Sequence, residues 1–154
     1  MSGVCRDLKE LDPSFCLQVM KLLDLMRADG FNPVVWETLR SPSRALELSK
    51  RGTGSATSMH IYRVACDIVD GDLYNMHKQH EQPESYWDAP PEFWASLHQR
   101  ALSLGLTRLV KPGAKTSWDG PHVQACTVAQ QAKVRAMTDP ERAAWCAARF
   151  GVQV

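Results

Sequence analysis

The chain has 154 residues, an apolar fraction of 44% and a formal charge of +1, from 18 Lys+Arg against 17 Asp+Glu. That length and apolar share suit one domain over residues 1–154 with a sizeable core, and the even charge, with no basic stripe carrying interleaved aromatics, argues against a nucleic-acid partner. No basic flank followed by an apolar run opens the sequence and no run reaches membrane-spanning length, so a protein made in soluble form in the cytoplasm, without an export signal or a membrane partner, is expected.

Asp12-Pro13 supplies a cap and a first helical residue, after which Phe15, Val19, Leu22, Leu23 and Met26 recur at helical spacing until Gly30. Asn32-Pro33 breaks the chain, and the β-rich run Val34 to Leu39 delivers Arg40 at its far end. Ser41-Pro42 opens a second helix towards Gly52, followed by a Thr/Gly/Ser loop of the kind that borders sites. Val64 to Val69 reads as a strand, and 70 to 91 as a long polar excursion punctuated by proline. Phe93, Trp94, Leu97 and Ala101 mark a third helix closed by Gly105, and Leu106 to Val110 and His122 to Cys126 read as strands. Two helices finish the chain, the second started by the capping box Thr138-Asp139-Pro140-Glu141 ahead of Ala144, Trp145 and Ala148.

Two segments carry chemistry. His60 and Asp67 lie seven positions apart, which on a continuous helix separates them by roughly 10 Å along the axis and on a straight strand turns them to opposite faces. A bend reconciles them: with the strand starting near Val64, Asp67 points to one face and His60, in the loop before it, folds back over that face. In the second segment, Trp118-Asp119-Gly120-Pro121-His122, the Gly-Pro turn can set Asp119 beside His122 as the latter opens a strand.

The pattern Ser-x-His-x(6)-Asp followed by Asp-x-Pro-His resembles the LAS metallopeptidases, a family of D-alanyl-D-alanine dipeptidases, zinc carboxypeptidases and phage L-alanyl-D-glutamate endolysins. Arg40-Ser41 after a strand, Ala65, Phe93-Trp94 and Leu104-Gly105-Leu106-Thr107 extend the resemblance over roughly Val34 to Gln124. Arg63 stands where many members carry glycine, a form similar to a phage-encoded subgroup, and Val123-Gln124 replace a frequent aromatic and acid.

The resemblance implies Zn2+ held by His60, Asp67 and His122, with the fourth position open as catalytic zinc requires. It implies Asp119 as general base and acid and Arg40 as the group facing negative charge in the transition state, with Ser58 and Gln124 as contacts to substrate or to the ligands. The expected fold is α+β, a small antiparallel sheet carrying the zinc site and packed with helices from both chain ends. The expected function is hydrolysis of an amide bond in the peptidoglycan stem peptide, L-Ala-D-Glu, by a monomeric endolysin of phage origin that reaches the wall once the membrane is permeabilised. The rivals are a D-alanyl-D-alanine dipeptidase or carboxypeptidase and a catalytically silent zinc module that binds wall fragments.

The remaining candidates read as structural. Cys5, Cys16, Cys66, Cys126 and Cys146 form an odd set without a CxxC pair, which suits reduced packing thiols, and strand alternation turns Cys66 away from Asp67. His77 and His80 fall in the polar excursion and His98 on a helical pattern, while Arg44 and Arg63 read as exposed helix and turn residues.

Overall fold

A computed structural model describes residues 3–73, 89–109 and 120–151. Helix α1 (Pro13–Ala28) starts where Asp12 accepts from the backbone N–H groups of Ser14 and Phe15, at 3.0 and 3.1 Å, which satisfies donors that a helix start leaves unpaired. Its buried stripe is Phe15, Val19, Leu22, Leu23 and Met26, the set its helical spacing marks out. Each such side chain contributes about 1.5–3 kcal/mol on leaving water. The helix lies at the centre of the packing, against strand β1 (Pro33–Glu37), helix α3 (Pro91–Ser103) and the last helix, α5 (Asp139–Phe150).

The sheet has three antiparallel strands in the order β1, β2 (Ala65–Asp70), β3 (His122–Gln124). With the helices around it, this makes the fold α+β. Val35 pairs with Ile68 and Glu37 with Asp67, so Trp36 is the extra residue of a bulge. Asp67 in turn pairs with His122. Glu37, Asp67 and His122 therefore form one rung across the sheet, and residues directly opposite one another share a face. The other end of β2 is pinned to the start of β1, where the Gly71 N–H donates to Asn32 O at 2.6 Å. A Cβ on Gly71 would meet that same oxygen at 2.6 Å, so only glycine fits.

Helix α2 (Pro42–Lys50) is capped by Ser41, whose hydroxyl accepts from the Arg44 N–H. The stretch 106 to 109 departs from the expected strand: only Thr107 pairs, as an isolated bridge to Gln124. Helix α5 follows the short helix α4 (Gln131–Ala136). The capping box forms in both directions, but the helix buries Arg142 and Cys146 and leaves Ala144 and Ala148 exposed. Arg142 is held inside because it donates to Val134 O and Met137 O and lies over the Tyr62 ring, giving its buried charge partners. No helix among the described residues is long and apolar enough to cross a membrane.

Candidate metal centre

His60 sits in a 3-10 turn, Met59–Tyr62, that packs back over the sheet. Ser58 caps this turn, accepting from the His60 N–H at 3.2 Å. The bend that the seven-residue spacing requires is at Arg63, which adopts a left-handed conformation with φ 65° and ψ 20°. Arg63 is the described non-glycine residue with positive φ, so glycine is the less strained residue there. Its exposed side chain pairs with Glu10, and its carbonyl accepts from the Asp12 N–H, joining the bend to the start of α1.

The three candidate ligands converge. His60 Nε2 lies 3.3 Å and His122 Nδ1 3.4 Å from the same oxygen, Asp67 Oδ1, and the ligand atoms all fall within 4.8 Å of one another. Tetrahedral zinc, with bonds of about 2.0–2.1 Å, spaces its ligand atoms roughly 3.3 Å apart.

Hydrogen bonding on the far side of each ring decides what faces the centre. His60 Nδ1 is 2.8 Å from Thr38 O, a carbonyl that can only accept, so Nδ1 carries the proton. The Thr38 peptide is itself fixed, its N–H donating to Cys5 O at 2.7 Å. His122 Nε2 stands 2.8 Å from Gln124 Oε1, and Gln124 Nε2 donates to Cys126 O, which fixes the amide's orientation and makes His122 Nε2 the donor. In its neutral form each imidazole thus turns a bare nitrogen towards a carboxylate oxygen. Three electron-rich atoms meet this closely only around positive charge, supplied by extra protons on the rings or by a metal cation. Burial would raise the Asp67 carboxyl, but positive charge and hydrogen bonds from the His60 and His122 rings, when these are protonated, outweigh it and hold the group below the usual carboxylate range. The donor set of two imidazoles and one carboxylate suits zinc.

Arg40 reaches the same face. Its Nε and Nη2 form a forked pair with Glu37 at 3.0 and 2.9 Å, its Nη1 donates to Ser58 Oγ at 3.4 Å, and its Nη2 lies 3.9 Å from Asp67 Oδ2. Arg44 donates at 2.9 Å to Glu37 Oε1, the oxygen that also accepts from Arg40 Nε, so it is a half-buried ion-pair partner rather than an exposed helix residue. Burial raises the Glu37 carboxyl, but the bonds from Arg40 and Arg44 reverse that and leave it below its ordinary value.

Glu37 and Arg108 escape a reading of the sequence alone. Arg108 donates to His122 O at 2.8 Å and Gly120 O at 2.6 Å, clamping the turn that presents His122. No spacing in the sequence marks either residue; the bulge that brings Glu37 opposite Asp67 exists only in the paired sheet. Ser58 and Gln124 both touch ligands, Ser58 at the His60 backbone and Gln124 at the His122 ring. Asp119, His77 and His80 lie outside the described residues. Cys66, Cys126 and Cys146 are buried and Cys5 and Cys16 half-buried; burial pushes the Cys126 thiol up to about 11, as suits a packing residue.

No family model and no curated protein matches the chain. Solved structures do. The L-Ala D-Glu endopeptidase ChiX of Serratia marcescens overlaps with a TM-score of 0.50 at 21% identity, over 80% of this chain and 89% of that one. The vancomycin-resistance D,D-pentapeptidase VanY of a VanB-type cassette, in complex with Zn(II), gives 0.54 at 17% identity, over 82% and 79%. The LD-carboxypeptidase LdcB gives 0.53 at 15% identity, over 88% and 68%. The chain has the fold of the LAS-type zinc peptidases.

Proposed function

We propose that this chain is a zinc-dependent peptidase of bacterial peptidoglycan, a single domain acting as a monomer, whose substrate is the stem peptide and whose bond is L-Ala-D-Glu. The observation that carries this reading is the meeting of two imidazole nitrogens on one carboxylate oxygen, at 3.3 and 3.4 Å, on the fold of the LAS-type peptidases. His60, Asp67 and His122 hold the metal. When bound, zinc supplies a water acidified towards neutrality and an electrophile for the scissile carbonyl.

The chain's own residues do the rest. Asp119, three positions before His122, takes the proton from the attacking water and returns it to the leaving amine, a role that rests on the resemblance to the LAS pattern. Arg40, anchored by Glu37, faces the negative charge that develops on the carbonyl oxygen, where one fixed donor contributes a few kcal/mol to lowering the barrier. Ser58 and Gln124 act on the ligands: Ser58 sets the His60 turn, and Gln124 fixes the protonation of His122. A phage-type endolysin that waits in the host cytoplasm and meets its substrate after membrane permeabilisation is the setting we infer.

The test is mass spectrometry of purified peptidoglycan after digestion with metal-loaded protein, beside a chelated control. New D-Glu amino termini that appear only with metal support the reading. Release of single D-Ala or of D-Ala-D-Ala would instead make the chain a carboxypeptidase or dipeptidase, a reading favoured by the overlaps with VanY and LdcB. An unchanged digest from zinc-loaded protein points to a silent wall-binding module.

A further inference from the structure

Asp67 is the centre of the metal group, yet a second cation stands close to it. The guanidinium of Arg40 is 3.9 Å from Asp67 Oδ2 and, like Asp67, largely buried. A guanidinium in such surroundings seeks a carboxylate, and one that closed on Asp67 would occupy the anion a metal needs. Glu37 lies directly opposite Asp67 across the bulge, only 2% exposed, and takes both Nε and Nη2 of Arg40 at 3.0 and 2.9 Å. Arg44 also donates to Glu37 Oε1, at 2.9 Å, and helps to hold the carboxylate in place. With a neutral or apolar residue at 37, Asp67 is the carboxylate that the described residues leave beside Arg40 on this face.

We propose that Glu37 is a positioning residue that holds Arg40 off Asp67 and so keeps Asp67 open to the metal. This inference rests on the reading of His60, Asp67 and His122 as a zinc site. On the same geometry, the bulge at Trp36 is the device that makes it possible, since it puts the two carboxylates on one face with the guanidinium between them.

The test measures Zn2+ affinity by competition with a chromophoric chelator, for the wild type, Glu37→Gln, Arg40→Gln and the double variant, with circular dichroism to check folding. The proposal expects Glu37→Gln to bind zinc about tenfold or more weakly, the size of effect that partners behind the ligands exert. It expects the double variant to return to the wild-type affinity, because removing Arg40 removes the competitor. Glu37→Gln binding as the wild type, or a double variant as weak as Glu37→Gln, overturns it, the second outcome marking mere structural damage. If Glu37→Gln does not fold, Arg40→Gln decides: equal or tighter zinc binding supports the proposal and weaker binding refutes it. Absence of zinc binding by the wild type would fell the functional reading itself, a result distinct from any of these.

Discussion

Arg63 offers a sharp test of how the site is built, because its left-handed backbone is the bend that lets His60 reach Asp67. A left-handed conformation costs an ordinary residue roughly 1–2 kcal/mol and glycine almost nothing. Arg63→Gly and Arg63→Ala both remove the exposed pair with Glu10, whose bond is 2.7 Å and whose worth at the surface is about 0–1 kcal/mol. Comparing the two variants cancels that loss and isolates the backbone. At an ordinary position glycine is the less stable of the two by about 0.5–1 kcal/mol; here the order inverts, with Arg63→Gly the more stable by about 1 kcal/mol. For a chain of this size that is about 2–4 °C in Tm, measured by thermal and urea denaturation. Zinc affinity in Arg63→Gly should equal that of the wild type, since the turn geometry is kept. An alanine variant as stable as the glycine variant would refute the account of the bend.

The other expectations concern the site and its surroundings. Asp119→Ala should keep zinc and lose hydrolysis, whereas His122→Ala should lose both, as read by metal content and peptidoglycan digestion; full activity in either contradicts the assignment. Gln124→Leu takes the acceptor from His122 Nε2 and should lower zinc affinity about 10–100-fold without unfolding the chain, measured by chelator competition; unchanged affinity would remove Gln124 from the site. Away from it, Asp29 is held down to about 2 by hydrogen bonds from Arg100 and Ser96. A lowered carboxyl pKa stabilises the fold above its unfolded value of about 3.9, a contribution lost as pH falls through the folded one. Asp29→Asn should therefore lower Tm near neutral pH, with the gap to wild type closing between about pH 4 and pH 2; a gap that does not depend on pH refutes it.

Much of this was legible because the local signals agree with the tertiary structure. The stripe of α1, the Asp12 and Ser41 caps and the Thr138/Glu141 box are local, and each appears where its residues predict. The convergence of His60, Asp67 and His122 was legible because the bend their spacing requires is a local feature of the chain. What the sequence hides is set by pairing across the sheet. The bulge at Trp36 has no composition cue, so Glu37 reads as a strand residue like any other. Arg44 reads as an exposed helix arginine because its partner lies seven residues back on a different element. In α5 the burial of Arg142 has no cue in the sequence, because its partners are the Val134 and Met137 carbonyls of the preceding turn and Asp139.

The strand that carries His122 is the short one, three residues long, and it borders the sheet beside Asp67. A bound ion would tie this strand to the sheet's interior and to the 3-10 turn at once, so its escape has to wait for the strand to peel away. Metal dissociation and amide hydrogen exchange in β3 then become two views of the same opening event, and slowing one by loading the ion should slow the other in proportion.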